Sequence, residues 1–402
     1  MSEQIALPRR KPSIWSLIAI SMISPMGITV IVPSMPGLQT AFDADYATVQ
    51  LTLSLYLLAV AVAQPFIGIF SDRFGRRPVL LWGLVLFVAA SLMAVAAPNI
   101  ETVVLMRLLQ GVGGCTGMVL GRAIIRDLYD RRQAASMIGY VTMAFAVAPM
   151  VAPSIGGLLQ EQFGWEAIYW FLGISGIVCL TIAWLDVSET NHNQTESIGI
   201  GGMLRDFGSL LGDTEFVLFA ASGTLAAAVF FAFIGGVPFV SEFILNLSPT
   251  TYGLWFALTP AGYSLGNFIA GRFAERIGVL RLILLGSGML LVPIVLLIAL
   301  FGLGYASAAA LFFPMFLVGL SNGITLPGAI AGAISARPDM AGAASGLMGS
   351  LQTGTGAAFS AIAGAALAGG TSAMPLFLLM GVAAAASLVC AVMISRMPAD
   401  RA

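Results

Sequence analysis

The densest group of charged side chains in the sequence is a short turn, GIFSDRFGRRPVLLWG, at positions 68–83. Charged residues make up only 9% of the chain, yet Asp72, Arg73, Arg76 and Arg77 fall within six positions. A carboxylate among guanidinium groups favours ion pairs and charge-assisted hydrogen bonds, which form and break without covalent chemistry. The turn therefore suits one of two roles: a latch that closes in only one conformation, or a basic anchor that fixes the position of the loop.

Residues around the turn favour a latch built on helix ends. Gly75 permits a sharp turn, and Pro78 suits the first turn of the helix that follows. Asp127, at the end of a later apolar segment, offers the arginines a carboxylate partner. The positive N-terminal end of a neighbouring helix would be a further partner for Asp72. The three arginines could equally act as an anchor alone, so both roles stay open.

Two further arginines, Arg107 and Arg122, lie inside apolar segments. An ionisable group within a membrane span is costly and marks a functional site by default. Gly111 and Gly114 follow Arg107 on its helix face, so a neighbouring helix or a cavity could approach closely. The alternative for both arginines is that the side chain snorkels to the membrane surface.

The composition defines the class of protein. The chain has 402 residues, 58% of them hydrophobic, and its 9% of charged residues compares with about 25% in soluble domains. Apolar segments of at least about 18 residues, long enough to cross a bilayer, recur from end to end. The net charge of −1 gives no basic surface for nucleic acid. No nucleophile motif, phosphate loop or metal-ligand cluster occurs, so the sequence predicts neither an enzyme nor a cofactor or metal.

The apolar segments predict an all-α membrane protein of twelve spans, at about 14–33, 49–70, 79–97, 103–126, 137–159, 165–185, 214–240, 250–272, 280–302, 305–333, 341–368 and 373–395. Lys and Arg occur before span 1, after span 12 and in or beside the even-numbered loops, whereas the odd-numbered loops contain none. The positive-inside rule therefore predicts that both termini and all even loops are cytoplasmic.

An internal repeat divides the chain in two. GIFSDRFGRRPVLLWG aligns with GRFAERIGVLRLILLG at an offset of 203 residues, about half the chain. The only long polar connection lies between the copies. The sequence thus predicts an N-terminal six-helix bundle at 1–185, a cytoplasmic linker at 186–213 and a C-terminal six-helix bundle at 214–402. Transporters are commonly built from such repeats, with the site between them.

Several motifs together resemble a known family. SLYLLAVAVAQPFIGIFSDRFGRRPVL is similar to the loop 2–3 signature of the major facilitator superfamily, and RLLQGVGGCTGMVLGRAIIRDLY to its span-4 motif. GYVTMAFAVAPMVAPSIGGLL resembles the span-5 motif of its exporters, and PFVSEFILNLSPTTYGLWF the span 7–8 region of the Bcr/CflA drug-resistance branch. The resemblance covers nearly the whole chain.

The resemblance implies two pseudo-symmetric six-helix bundles around a central cavity, and efflux of small drugs or metabolites in exchange for protons across the bacterial inner membrane. The motifs, together with the polar and aromatic residues within the spans, predict three groups of residues. The cytoplasmic latch comprises Gly68, Asp72, Arg73, Gly75, Arg76, Arg77 and Asp127. The span-5 motif comprises Gly139, Ala152, Pro153, Gly156 and Gly157. The candidate cavity residues are Arg107, Gln110, Thr29, Asn267, Asn322, Gln352 and Phe230. The expected partners are a small-molecule substrate, protons and the lipid bilayer, and the chain is expected to be a monomer.

One feature departs from the family. Many relatives carry an acidic residue in span 1 where this chain has Thr29, and no Asp or Glu falls in the middle of any predicted span. Arginine cannot replace it as a titrating group, because its pKa exceeds about 12. If protons are coupled, the candidate groups are the edge carboxylates Glu101 and Glu242. The alternative is a facilitator or an anion-selective carrier without proton coupling.

Overall fold

Long apolar helices make up nearly all of the computed structural model, which describes residues 11–129, 131–191 and 199–397. No strand occurs within those ranges. Twelve spans are present, as predicted, and their bounds are Ile14–Phe42, Tyr46–Phe74, Arg76–Val95, Ile100–Leu128, Arg131–Phe163, Glu166–Asp186, Thr214–Ile244, Pro249–Ile277, Val279–Gly302, Ala308–Ala336, Ala341–Leu367 and Met374–Ser395. Span 1 extends nine residues beyond its predicted end, through a 3₁₀ turn at Val32–Ser34. Span 8 is broken at Ala257.

Polar side chains fix where several spans begin. The side chain of Asp45 accepts a hydrogen bond from the backbone N–H of Thr48 at the start of span 2. Asn99 does the same for span 4, and Asp213 for span 7. Such caps satisfy backbone donors that the first helical turn leaves without partners.

The twelve spans form two six-helix bundles. Spans 1 to 6 pack on one another, as do spans 7 to 12, and the two bundles meet chiefly where span 2 contacts span 11 and span 5 contacts span 8. Nine of the spans within the described ranges are apolar enough over their length to cross a membrane by composition alone, and spans 5, 8 and 11 are outside that set. Those three spans face the other bundle, so less of their surface must match lipid.

The predicted repeat is visible in the backbone of two equivalent turns. Gly75 joins spans 2 and 3 with φ 97° and ψ 152°, and Gly278 joins spans 8 and 9 with φ 87° and ψ 144°. A positive φ is favourable only for residues such as glycine. The two residues are 203 positions apart in the sequence. The two turns differ in charge, however, because Val279 and Leu280 stand where the first copy has Arg76 and Arg77.

The linker contains a helix that the sequence analysis missed. Residues Ile200–Leu211 form an amphipathic helix in which Met203 and Leu210 are buried. It packs on spans 7 and 11. Gly201 and Gly202 weaken the intrinsic helix propensity of this segment, and tertiary packing of the apolar face outweighs that cost.

Candidate functional site

A cavity of about 860 Å³ lies between the two bundles. Spans 1, 2 and 4 line one side of it, and span 11 and the linker helix line the other. Its mouth lies at the end of the molecule that carries the loop arginines, which we call the basic end. Asp72, Arg76, Arg126, Asp127 and Asp206 surround this mouth. The volume falls within the range of about 300–1,000 Å³ typical of small-molecule sites.

The wall of the cavity combines apolar and polar side chains. Gln64, Gln352 and Thr353 contribute amide and hydroxyl groups, and Phe231 contributes an aromatic face. Arg122 adds a basic side chain to the wall, and its backbone lies about 9 Å inward from the end of span 4, at roughly 1.5 Å per residue. Among the described lining residues, the acidic ones are Asp72, Asp127 and Asp206, and all three lie near the mouth. The deeper cavity wall is therefore polar and basic rather than acidic.

At the mouth, Arg76 links three spans. Its guanidinium forms an ion pair with Asp72 of span 2, and Nε donates to Asp127 Oδ2 of span 4 at 3.0 Å. Nη1 also donates to Ser71 Oγ at 2.6 Å. The arginine that pairs with the Asp127 carboxylate is thus Arg76. Asp72 stays about half exposed to the cavity, so one of its faces is free to meet another group.

Glu189, which the sequence analysis did not single out, caps the start of span 3 at this turn. Its carboxylate accepts hydrogen bonds from the backbone N–H groups of Arg76 at 2.9 Å and Arg77 at 3.1 Å, at the start of span 3. An anion is stabilised there by the unpaired donors and the positive end of the helix. Thr190 Oγ1 donates to Asp127 at 3.0 Å, and Asn191 Nδ2 donates to the carbonyl of Asp72 at 2.8 Å. The segment after span 6 therefore completes the charged turn.

The remaining members of the predicted latch differ in their surroundings. Gly68 lines the cavity, and Gly75 supplies the turn with a positive φ. Arg73 is exposed, with its guanidinium 5.4 Å from the ring centre of Phe74. Arg77 is directed away from the ion pairs towards span 6. The structure thus brings together Asp72, Arg76 and Asp127, and places the other two arginines outside their network.

The opposite end of the cavity is closed where span 5 meets span 8. Ser154 Oγ donates to the carbonyl of Gly253 across the bundle boundary at 3.0 Å. Gly157 lies against the carbonyl of Pro249 so closely that any side chain there would collide with backbone. On the same span, Gly156 lies equally close to the carbonyl of Val30 in span 1.

The other members of the span-5 motif lie beside this contact. Ala152 is buried, and the carbonyl of Pro153 lies against Gly253. Gly139 lies outside the residues whose surroundings the structure describes. The small residues of the motif therefore allow two bundles to approach at backbone distance.

Spans 2, 7 and 11 reinforce the closed end. Gln50 Nε2 donates to Ser360 Oγ at 2.6 Å and to the Ser360 carbonyl at 3.1 Å. The hydroxyl of Tyr46 donates to the carbonyl of Gly235 in span 7 at 2.9 Å. All three hydrogen bonds join residues of different bundles, so they must break if this end opens.

Arg107 does not line the cavity, contrary to the prediction. Its side chain is fully buried inside the first bundle. Nε donates to the carbonyl of Thr52 at 3.0 Å, and Nη2 to the carbonyl of Gly27 at 2.9 Å. Nη1 donates to Gln110 Oε1 at 2.8 Å. Snorkelling is excluded as well, because the guanidinium is enclosed and joins spans 1, 2 and 4.

Five other candidates for the cavity also lie away from it. Gln110 is buried, with Nε2 donating to Ser91 Oγ at 2.7 Å. Thr29 Oγ1 donates to the carbonyl of Pro25 in its own helix. Asn322 is buried, and Asn267 donates to Tyr263 of its own span. Phe230 packs against Phe231 and Phe256. Of the seven predicted residues only Gln352 lines the cavity, because helix-face geometry alone does not tell which neighbour a residue meets.

The two candidate coupling carboxylates lie at the closed end. Glu101 is exposed in the first turn of span 4. Glu242 is partly buried in the π-helical turn that ends span 7. It lies one turn after Phe239, whose ring centre is 5.2 Å from that of Tyr46. Glu242 is thus near the contact of Tyr46 with span 7.

Comparison with known proteins agrees with these features. The family model described as Major Facilitator Superfamily matches residues 17–244. The MFS-type transporter YdgK of Bacillus subtilis is 31% identical, over 91% of this chain and 90% of that protein. The bicyclomycin resistance protein homolog of Haemophilus influenzae is 28% identical, over 84% of this chain and 85% of that protein.

The fold is shared with solved transporter structures. The crystal structure of a D-xylose-proton symporter superposes with a TM-score of 0.75 at 13% identity, over 95% of this chain and 96% of that one. At that identity the likeness concerns the fold alone. It supports the arrangement of two helical bundles with a cavity between them.

Proposed function

The chain belongs to the Major Facilitator Superfamily, in its Bcr/CflA-type drug-resistance branch, and on this basis we propose that it exports small drugs or metabolites in exchange for protons. It is a multi-pass membrane transporter and not an enzyme. The proposed cycle is alternating access, in which the two bundles rock about the cavity and expose it to one side of the membrane at a time.

The observation that carries this proposal is the asymmetry of the cavity. It opens at the basic end, whereas at the other end the bundles meet through Ser154–Gly253, Gln50–Ser360 and Tyr46–Gly235. Each hydrogen bond is worth about 1 kcal/mol, and the buried apolar core at this end includes residues of both bundles. Opening this end therefore requires the hydrogen bonds to break and these apolar contacts to separate.

The basic end is assigned to the cytoplasm by the positive-inside rule. Both termini are then cytoplasmic, and the conformation described above receives its substrate from the cytoplasm, as an exporter requires. The proposed location is the bacterial inner membrane. One chain encloses the whole cavity, which supports a monomer as the functional unit.

The cavity supports a substrate class rather than a single compound. Phe231 offers stacking for a flat or apolar group, while Gln64, Gln352 and Thr353 offer hydrogen bonds. The guanidinium of Arg122 attracts anionic and polar groups and repels cations. We therefore propose neutral or anionic drug-sized organic molecules as substrates.

The charged turn is proposed to be the latch of the opposite conformation. Asp72 lies on one side of the cavity mouth, and Gly342, Ala343 and Gly346, in the first turns of span 11, lie on the other. When the mouth closes, the free face of Asp72 can meet the positive N-terminal end of span 11. Glu189 and Arg76 would hold the turn rigid while this contact forms and breaks.

A second candidate function is a facilitator without proton coupling. It is favoured by one observation: within the described residues, no carboxylate lines the deeper part of the cavity. The two functions differ in whether substrate movement is accompanied by proton movement.

A growth-inhibition panel identifies the substrate and tests export. Cells that produce the protein are compared with cells that carry the empty vector, across neutral, anionic and cationic drugs. Export predicts raised tolerance to at least one neutral or anionic compound with the wild type only. Equal tolerance throughout, with the protein present in the membrane, would contradict drug export.

A further inference from the structure

A second cavity lies on the outside of the N-terminal bundle, in a groove between spans 3 and 6. Its volume is about 570 Å³. Leu81 and Val85 of span 3 and Leu180 of span 6 contribute apolar walls. Trp82 and Trp184, also among its lining residues, are 74% and 62% exposed. The groove therefore faces the lipid around the protein and has no connection with the substrate site.

The positively charged side chain of Arg77 lies at one end of this groove. Arg77 lines it, with Nη2 donating to the carbonyl of Trp184 at 2.9 Å and the guanidinium 5.2 Å from the centre of the Trp184 ring. Its neighbour Arg76 has two carboxylate partners, but no ion pair to Arg77 occurs among the described residues. Glu189 accepts from the backbone N–H of Arg77, not from its guanidinium.

The guanidinium therefore keeps unused hydrogen-bonding capacity. Arginine has five N–H donors in a planar fork that matches phosphate oxygens. Nη2 donates to the Trp184 carbonyl, and Nη1 donates no hydrogen bond within the described part of the chain. A phosphate group at the mouth of the groove would supply the missing charge and acceptors.

The position of the groove along the membrane normal indicates that this phosphate belongs to a lipid headgroup. Arg77 is the second residue of span 3, and Trp184 is two residues from the end of span 6, so both lie at the headgroup level of the leaflet at the basic end. Tryptophan is enriched at this level of membrane proteins, and basic pockets between spans bind anionic lipid headgroups. An acyl chain would continue along the apolar walls.

We propose that this groove binds an anionic phospholipid of the cytoplasmic leaflet, with its phosphate on Arg77 and an acyl chain between spans 3 and 6. The site depends on the membrane location of the chain and not on the transported substrate. It also ties the lipid to the turn that carries Asp72 and Arg76. A failure to find lipid selectivity would therefore not count against the proposed export function. A failure to find export would likewise not count against the lipid site.

The experiment measures lipid selectivity in reconstituted vesicles. Purified protein is placed in phosphatidylcholine vesicles containing brominated phosphatidylglycerol or brominated phosphatidylcholine, and quenching of tryptophan fluorescence is compared. The readout uses a protein in which Trp15, Trp165, Trp170 and Trp255 are replaced by Phe, which leaves the two groove tryptophans. We expect phosphatidylglycerol to quench with an affinity about fivefold above that of phosphatidylcholine, from one arginine at the surface.

Two variants and one matched control decide the outcome. Arg77→Gln should bring the preference to about one, whereas Arg281→Gln, which removes an exposed arginine from the equivalent turn of the second half, should leave it unchanged. Thr181→Trp fills the groove and keeps Arg77, so it should weaken quenching from phosphatidylglycerol. The fluorescence of the added tryptophan is corrected by measuring the same variant with brominated phosphatidylcholine. Equal loss in Arg77→Gln and Arg281→Gln would show only a general basic surface. No preference in the wild type, or competition by inorganic phosphate, would overturn the lipid site.

Discussion

Gln50 of span 2 donates a 2.6 Å hydrogen bond to Ser360 of span 11 across the boundary between the two bundles. Both side chains are buried, at the end of the cavity opposite the mouth. Substitution of Gln50 alone removes this polar contact between the two bundles. It therefore provides a direct test of which conformation the contact stabilises.

Replacing Gln50 by alanine should shift the protein towards a conformation open at the closed end. The variant loses both hydrogen bonds to Ser360, each worth about 1 kcal/mol, and about 2 kcal/mol is roughly thirtyfold in the ratio of the two conformations. Distances between spin labels on spans 2 and 11 near this end should lengthen in the variant. Ser54→Ala is the matched control, because Ser54 Oγ donates only to the Gln50 carbonyl within the same span. Unchanged distances in Gln50→Ala would remove this contact from the closing mechanism.

Replacing Gly157 by alanine should block closure between spans 5 and 8. A side chain at this position collides with the carbonyl of Pro249, and backbone atoms cannot move aside as a flexible side chain could. Transport should fall to background while the amount of protein in the membrane stays normal. Gly271→Ala is the control, because nothing lies near that position. Normal transport by Gly157→Ala would mean that the two spans need not approach this closely.

Replacing Asp72 by asparagine should strongly slow transport without affecting membrane insertion. The variant keeps the shape of the side chain and loses the charge that pairs with Arg76 and that we propose meets span 11. The three arginines of the turn remain, so a basic anchor would work as before. Transport rates at equal expression separate the two roles, and wild-type rates in the variant would leave only the anchor.

Replacing Arg107 by lysine should lower both thermal stability and transport. One ammonium group cannot serve the carbonyls of Gly27 and Thr52 and the amide of Gln110 together. Each buried acceptor left without a donor costs about 1–3 kcal/mol, so the midpoint of thermal unfolding in detergent should fall. Arg107→Ala should lose transport entirely. A lysine variant with lower transport but unchanged unfolding would assign Arg107 to the transport step instead of to bracing.

Much of the fold follows from the sequence, and less of the site. Apolar length predicts the twelve spans, and the repeat predicts that Gly75 and Gly278 make the same turn. Whether the Arg107 side chain points into the cavity or into the first bundle could not be predicted, since this depends on how three neighbouring spans pack against its helix. Glu189 escapes prediction for a similar reason: it caps span 3 in space, more than 100 residues from Arg76 in the chain.

Neutralising Glu101 or Glu242 tests the proposed coupling groups. If protons are exchanged, at least one of Glu101→Gln and Glu242→Gln should move substrate down its gradient but fail to respond to a pH gradient. Glu242 is the stronger candidate because it lies one turn from Phe239, which contacts Tyr46 at the closed end. Normal pH-driven transport by both variants would place coupling on another group, such as the aspartates at the mouth or the substrate itself.

The most direct test of the proposed exporter follows substrate and protons together in proteoliposomes. The compound identified by the growth panel is measured with a pH-sensitive dye trapped inside the vesicles, with and without an imposed pH gradient. Proton-coupled export predicts that protons move in the direction opposite to the substrate, so that substrate entering the vesicles raises their internal pH. It also predicts that an imposed pH gradient drives substrate above its equilibrium concentration. Substrate movement that leaves the internal pH unchanged and never exceeds equilibrium would contradict proton coupling and establish the facilitator.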